Sequence, residues 1–370
     1  MKIAFIALKG VPLTDGIVRV RDLLAAELAR RGHDITVYTT TNYGNKTGLY
    51  NGYKIVALDV THRKQLEKIA LNYKASKQAS KLDYDIYHFE PLGDAFFAFR
   101  PHINGKTVIG QSHGIEYDRP RFNKFVRKIL KIYERAGIKN CDAVSVVSKK
   151  LHSHYLKTYD LQTTYIPNCT DYPGETDELL LKEYGIISNQ YFLFLNRIDS
   201  GKGLHYLVNA YNRMKTNMKL VICGPINKED PYHSYILSLA DGNPNIVFMN
   251  NVDGILKNTM YKYAYICCLT SESEGMSTSL LEMMSYGKCV IASRLQENID
   301  VLEDAGIYFD SCDEISLQRC LEYSEANPDE VCLKGAKSYA IWESNYTVKT
   351  VADKYEAFYR RVLNEKTVAI

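Results

Sequence analysis

Two glutamates, Glu274 and Glu282, stand eight positions apart in TSESEGMSTSLLEMMSYGKCV, residues 270–290. The stretch follows the apolar, β-rich run AYICCLT and turns helical after a glycine and several small hydroxylic residues. Ser277, Thr278 or Ser279 suits the helix cap, and Gly287 the stop. A helix start points unbonded amides outward, so the backbone at Gly275, Met276 and Ser277 can hold an anion or sugar hydroxyls. A carboxylate offers lone pairs to two neighbouring hydroxyls, which fits Glu282 to a diol such as a ribose. Taken alone, the pair reads more simply as Glu274 complementing the helix dipole and Glu282 as a solvated helix residue. A second loop changes that balance. FLNRIDSGKG (194–203) places Arg197, Lys202 and two glycines directly after another β-rich run. A guanidinium fork and a lysine point charge suit a diphosphate. The segment is not a P-loop, because GxxxxGK[ST] is absent. Two such loops together describe a site for a nucleotide diphosphate.

Other candidates are weighed in the same way. His113 ends the β-rich run TVIGQSH and precedes Gly114. One such histidine is ordinarily a satisfied core residue, but its place at a strand's carboxyl end favours a ligand. DYD (83–85) has the look of a metal-binding acidic pair, yet it opens the β-rich run DIYHF and reads as a turn before a strand. No metal is expected. The nine cysteines are an odd number with no CxxC pair, which fits reduced thiols in a cytosolic protein and argues against zinc. No GxGxxG follows either first strand, which excludes a nicotinamide-dependent dehydrogenase.

These residues need strands to carry them. At 370 residues the chain is too long for one ordinary core. Short apolar runs at 2–7, 34–40, 83–90, 106–113, 141–148 and 163–168 alternate with helical patterns. A second series runs at 191–197, 218–224, 245–249, 264–270, 288–293 and 306–310. Such alternation predicts α/β architecture: two Rossmann-like domains with parallel sheets facing a central cleft. The boundary is placed at IPNCTD (166–171), giving domains of 1–168 and 169–344, followed by an amphipathic tail helix in 345–370. The opening run MKIAFIALKG reads as a first buried strand rather than a signal peptide, and no run of about 18 apolar residues spans a membrane.

Charge is uneven. Residues 1–150 carry 26 Lys/Arg against 14 Asp/Glu, and the remainder 20 against 29. Much of the basic excess lies in RPRFNKFVRKILKIYERAGIK (119–139), where only Glu134 is acidic and apolar residues recur near helical spacing. That helix reads either as a packed surface helix with a solvated basic face or as an interfacial helix on an anionic membrane. No nucleic-acid-binding module is visible, so nucleic acid is not expected as a partner.

The combination resembles the retaining glycosyltransferases of family 4, which have the GT-B fold, over nearly the whole chain. SESEGMSTSLLEMMSYGKCVIAS is similar to that family's acidic signature, and LNRIDSGKGLHYLVNAY to its diphosphate motif, with Asn196 replacing the usual glycine. LVICG and VFMNNVDGILKNTMYKYA resemble the segments flanking the nucleobase, and IPNCTD the hinge, with Cys169 in place of glycine. HGIEYDRPRF resembles a segment of the branch that includes bacterial rhamnosyltransferases and other polysaccharide-assembly enzymes. The resemblance implies a hexosyl transfer from a nucleotide-diphosphate sugar to a saccharide or lipid-diphosphate-saccharide acceptor, with no further cofactor. It implies that Glu274 and His113 lie beside the reacting sugar. Glu282 would bind the ribose, and Gly275, Met276 and Ser277 the sugar hydroxyls. Arg197 and Lys202 would take the diphosphate, and Gly224, Asn250 and Val252 would border the base. Gly16, in a first loop that matches only partly, would approach the β-phosphate. Glu116 and Arg119 would border the acceptor, and the resemblance implies that the tail helix in 345–370 packs back on the first domain. Such an enzyme is expected in the cytoplasm, peripheral on the inner face of the membrane. A nucleotide-sugar epimerase or a non-catalytic glycan-binding subunit shares the fold and remains the alternative.

Overall fold

The computed structural model describes residues 1–6, 10, 16–118, 122–250 and 252–368. Two compact units divide the chain: Met1–Cys169 with Val348–Ile370, and Thr170–Thr347.

The strands of the first unit are β1 (Lys2–Ile6), β2 (Asp34–Thr40), β3 (Gly48–Tyr50), β4 (Tyr53–Leu58), β5 (Ile86–Phe89), β6 (Thr107–Ser112), β7 (Ala143–Val146) and β8 (Thr164–Tyr165). They form one sheet in the order β3-β4-β2-β1-β5-β6-β7-β8. Its central strands are buried on both faces, as near-continuous apolar sequences require in a helix-covered parallel sheet. One expectation fails at the edge, because β3 and β4 pair antiparallel. The cause is Asn51-Gly52, with φ of 47° and 83°. Two consecutive positive φ angles build the two-residue turn that matches strand twist, so this dipeptide makes a hairpin.

One face of the sheet is covered by the helix Gly16–Arg30, through Val20, Leu24 and Leu28, and by the last helix, Val348–Val368. That last helix contributes Val351, Tyr355, Phe358, Tyr359 and Val362, whose spacing of three and four sets one stripe inward. It begins at Val348 rather than 345, since Asn345 still belongs to the preceding helix, Pro328–Asn345, and Thr347 bridges to Thr170. The opposite face packs on the helix Lys64–Ala79 through Leu71, Ala75 and Ala79. The basic helix runs Lys124–Lys139 and starts later than its sequence pattern implies. Asn123 caps it, its Oδ1 accepting Val126 N–H at 3.0 Å. Among the described residues no helix is long and apolar enough to cross a membrane.

Among the described residues the second unit has six strands: β9 (Tyr191–Leu195), β10 (Lys219–Cys223), β11 (Ile246–Met249), β12 (Ile266–Leu269), β13 (Val290–Ser293) and β14 (Gly306–Phe309). Their order is β11-β10-β9-β12-β13-β14, every pair parallel. This is the doubly wound order in which the first and fourth strands lie side by side and the winding reverses between them. Here those strands are β9 and β12, so ligands of such a sheet bind outside their carboxyl ends.

The last helix sets a test of the first unit. Losing a large buried apolar side chain costs about 2–5 kcal/mol, against about 5–15 kcal/mol for a whole domain. A chain ending at Asn345 is therefore expected to aggregate and to lose the tertiary near-ultraviolet circular dichroism of the first unit. A soluble, fully active truncated chain would show the helix to be dispensable.

Candidate functional site

The loops after β9 and β12 are sewn together by backbone contact. Gly203 has φ +64°, and a methyl group there would overlap the Thr270 carbonyl. Glu272 N–H donates to the Gly201 carbonyl at 2.9 Å, and Thr270 Oγ1 to the Lys202 carbonyl at 2.9 Å. Beneath them Ser293 Oγ donates to the Ser271 carbonyl at 2.7 Å, and buried Asn298 Nδ2 to the Ser293 carbonyl at 3.0 Å. The result holds Lys202 Nζ 2.6 Å from Glu274 Oε1, which also accepts Ser271 Oγ–H at 2.6 Å. The ammonium and the carboxylate are 14% and 10% exposed. A cation fit for phosphate and a carboxylate fit for hydroxyls therefore meet at the switch point of the sheet.

Glu282 lies on the helix Thr278–Ser285, capped by Ser277 Oγ, which accepts Leu280 N–H at 3.4 Å. Its carboxylate accepts Lys257 Nζ–H at 2.6 Å and Tyr261 O–H at 3.2 Å. Both donors sit on the helix Gly254–Tyr263, and burial, reinforced by the Glu282 charge, pushes the Tyr261 phenol well up. Sequence reasoning passes over Lys257. Its role depends on the contact between the helices Gly254–Tyr263 and Thr278–Ser285.

The remaining donor-side candidates are placed as follows. Arg197 is 78% exposed and has a long ion pair, 3.8 Å, to Asp199. Asn196 Oδ1 accepts the Arg197 N–H at 2.9 Å. Gly224 carries a packing constraint: a side chain there would overlap the Asn196 carbonyl. Asn250 Oδ1 accepts Ile226 N–H at 3.0 Å, and Val252 is half-buried. Gly275 is half-buried and Met276 buried.

In the first unit His113 follows β6, and a second cluster that the sequence does not announce gathers beside it. Glu90, directly after β5, is buried and in contact with the guanidinium of Arg21, itself 1% exposed on the helix Gly16–Arg30. Glu90 Oε2 is 3.4 Å from His113 Nε2, and Glu90 Oε1 is 3.4 Å from His88 Nε2. Arg21 Nη2 donates to Gln111 Oε1 at 2.8 Å, as does Tyr355 O–H at 2.5 Å. Tyr359 O–H lies 2.7 Å from His88 Nδ1. Burial first, then the Arg21 charge, holds the His113 imidazole down at about 3, with Glu116 opposing. The same two causes hold His88 well below its ordinary value. Both rings are therefore neutral at ordinary pH, able to accept or donate one hydrogen bond per nitrogen but not to supply a positive charge.

Glu116 is half-buried in the short turn Glu116–Asp118. Gly16 opens its helix, while residues 11–15 before it and Arg119 lie outside the described residues. In DYD, Asp83 pairs with Lys106, and Asp85 Oδ2 accepts Lys2 N–H at 2.7 Å, so both carboxylates are occupied in holding the strand ends. Among the described residues no three His, Cys, Asp or Glu side chains gather as a metal site would require.

Comparison with known proteins bears on the family and the fold. The profile described as Glycosyltransferase Family 4 matches residues 14–172, and that described as Glycosyl transferases group 1 matches 181–337. A Campylobacter jejuni protein is 24% identical over 336 residues, covering 87% of this chain and 88% of its own. It is the GalNAc-alpha-(1->4)-GalNAc-alpha-(1->3)-diNAcBac-PP-undecaprenol alpha-1,4-N-acetyl-D-galactosaminyltransferase. Sucrose-phosphate synthase from Thermosynechococcus elongatus superposes with a TM-score of 0.83 at 19% identity, over 98% of this chain and 99% of that one. Anabaena HepE in complex with UDP superposes with a TM-score of 0.77 at 15% identity, over 97% and 99%.

The contact between the two loops can be broken by one methyl group. Gly203→Ala combines a left-handed backbone with a carbonyl overlap, and is expected to cost at least about 2 kcal/mol. In a unit of this size that is roughly 4–8 °C of melting temperature. At Gly201 a methyl would make only a 3.4 Å contact with Asp199 Oδ1, so Gly201→Ala is the control. Equal melting temperatures for the two variants would refute the loop-contact account.

Proposed function

Because this chain belongs to glycosyltransferase family 4, with the GT-B type of fold, we propose that it transfers a hexosyl group from a nucleotide-diphosphate sugar to a hydroxyl of a lipid-linked saccharide. The observation that carries the reading is the Lys202–Glu274 contact at 2.6 Å, at the carboxyl ends of β9 and β12. Lys202 and Arg197 meet the charge of the leaving diphosphate, so that no metal is needed. The backbone at Gly275, Met276 and Ser277 and the first amides of the helix Thr278–Ser285 hold the sugar. Glu274 accepts a sugar hydroxyl. Glu282, oriented by Lys257 and Tyr261, accepts the ribose hydroxyls. Gly224, Asn250 and Val252 border the base, and Gly16 the β-phosphate. In the first unit His113 contacts the transferred sugar, and Glu116 with Arg119 borders the acceptor. The C. jejuni relative acts on an undecaprenol-diphosphate saccharide, and HepE binds UDP. Both facts support the corresponding substrates here.

Retention follows if the acceptor oxygen arrives on the face that the diphosphate leaves. The bond from the anomeric carbon to the phosphate oxygen breaks, and its electron pair goes to that oxygen. The acceptor oxygen bonds to the same carbon, and its proton passes to the leaving diphosphate. Lys202 and Arg197 stabilise the charge that develops, in a site arranged before the reaction begins.

The acceptor's lipid favours a membrane-facing surface on the first unit. Glu134, the acid of the helix Lys124–Lys139, is turned inward, accepting Tyr155 O–H at 3.0 Å and Tyr159 O–H at 2.9 Å. Phe125, Ile129 and Ile132 form an outward stripe, Phe125 being 72% exposed. Lys124, Lys128, Arg135 and Lys139 flank that stripe on the same exposed face. An apolar stripe bordered by cations matches the headgroup region of an anionic leaflet, where each basic residue is worth about 1 kcal/mol. The protein would then work at the inner face of the membrane.

Two measurements test these proposals. With a panel of nucleotide-diphosphate sugars and a lipid-linked saccharide, one donor is expected to yield nucleoside diphosphate and an acceptor product that retains the anomeric configuration. Lys202→Ala and Glu274→Ala should each lower kcat/KM by about 10²–10³-fold; turnover unaltered by either would sink the site, and conversion of donor without acceptor would indicate an epimerase. Separately, the protein should sediment with phosphatidylglycerol vesicles and not with phosphatidylcholine vesicles. The Phe125→Ser/Ile132→Ser variant should lose that binding, and retention of it would refute the membrane-facing stripe.

A further inference from the structure

Glu90 has no part in the reaction described above, yet it is the centre towards which the buried polar groups of the first unit turn. Its two oxygens face three donors: Arg21 and His88 at Oε1, and His113 at Oε2. An ionised carboxylate only accepts hydrogen bonds, so an imidazole nitrogen beside it is the nitrogen that carries the proton. The pattern is consistent throughout. With Nε2–H directed at Glu90, His88 keeps a bare Nδ1, which is the acceptor that Tyr359 O–H finds at 2.7 Å. Gln111, the next acceptor along, takes its hydrogen bonds from Arg21 and Tyr355.

We propose that Glu90 is a positioning residue for His113: its Oε2 receives the ring's Nε2 proton, so that Nδ1 is held as a lone-pair acceptor for one hydroxyl of the transferred sugar. This rests on the reading that His113 contacts that sugar. The Nε2–Oε2 separation of 3.4 Å is longer than an aligned hydrogen bond and shortens by a small rotation of the ring, as such contacts do when substrate arrives. Among the described residues neither buried ring nitrogen of His113 has a hydrogen-bond partner, and Nδ1 is the one Glu90 does not face. A buried acceptor with no partner is costly, and a hydroxyl hydrogen relieves it in surroundings where that bond is strong. Arg21 fixes the carboxylate, and it is itself fixed by the rings of Phe5 at 4.5 Å and Tyr355 at 5.5 Å. Among the described residues the charged and titratable groups facing His113 are Glu90, Arg21, His88 and Glu116.

The closing experiment reads the tautomer directly. The full chain is labelled with 15N-histidine, and His113→Gln identifies the signal. A protonated Nε2 and a bare Nδ1 are expected, unchanged from pH 8 to pH 5. A protonated Nδ1, or a mixture of tautomers, would overturn the proposal. Arg21→Met/Glu90→Gln removes both buried charges together, so neither is left uncompensated. That variant is expected to keep its fold, lose the single tautomer and lower kcat by about ten- to hundredfold, with the donor KM unchanged. Wild-type kcat and an unchanged nitrogen spectrum in the double variant would also overturn it. Failure of the underlying reading shows elsewhere: His113→Ala would then turn over like the wild type, whatever the tautomer.

Discussion

The passage of Gly203 beneath the Thr270 carbonyl is the constraint on which the donor half of the molecule rests. Doubly wound topology brings β9 and β12 side by side, but adjacency of strands alone leaves their loops free to diverge. The close backbone approach removes that freedom. It also explains why Lys202, whose side chain has many rotamers, ends within 2.6 Å of one carboxylate oxygen. The same pair is half-buried, so each charge needs a partner at all times. A diphosphate reaching Lys202 would exchange one anionic partner for another. Glu274, released, would keep Ser271 and gain the hydroxyls of a sugar. In the proposed reaction, ligand binding is thus a substitution of partners rather than the filling of an unpaired site.

The first unit solves a different problem. Arg21 and Glu90 are both almost fully buried, and a buried ion pair of this kind is weak support for stability, because desolvation offsets much of the attraction. What such a pair can provide is direction. Its donors come from the helix Gly16–Arg30, from β5, from the turn after β6 and, through Tyr359 and His88, from the last helix. A shift of one element would break the Arg21–Gln111, Tyr355–Gln111 or Tyr359–His88 hydrogen bond in a buried setting, a loss that apolar packing alone does not penalise in the same way.

The fold is legible in the sequence wherever an apolar run carries its own register. β1, β2 and every strand of the second unit coincide with such runs. The hairpin β3-β4 is the exception, and its signal was local rather than periodic: Asn51-Gly52 between short apolar segments. In the site, the sequence singles out Lys202 and Glu274 because their chemistry is carried by loops directly after strands. Lys257 is different. It becomes informative only when the helix Gly254–Tyr263 is laid against the helix Thr278–Ser285, and no spacing along the chain encodes that contact. Glu90 and Arg21 are 69 positions apart and appear in the sequence as two ordinary charged residues. Their burial is a product of packing, and only the packed molecule reveals it.

The last helix has a consequence in time. Ribosomes deliver the chain from its amino terminus, and domains tend to fold as units when they emerge. The second unit is one uninterrupted segment, Thr170–Thr347, and has all its strands as soon as it is made. The first unit does not: Val351, Tyr355, Phe358 and Tyr359, which close its core, are translated after the whole of the second. The amino-terminal sheet therefore waits, with one apolar face covered only by the helix Gly16–Arg30, for the length of another domain. The half of the protein synthesised first is the half that is finished last, and for that interval its exposed sheet is a natural client for a chaperone.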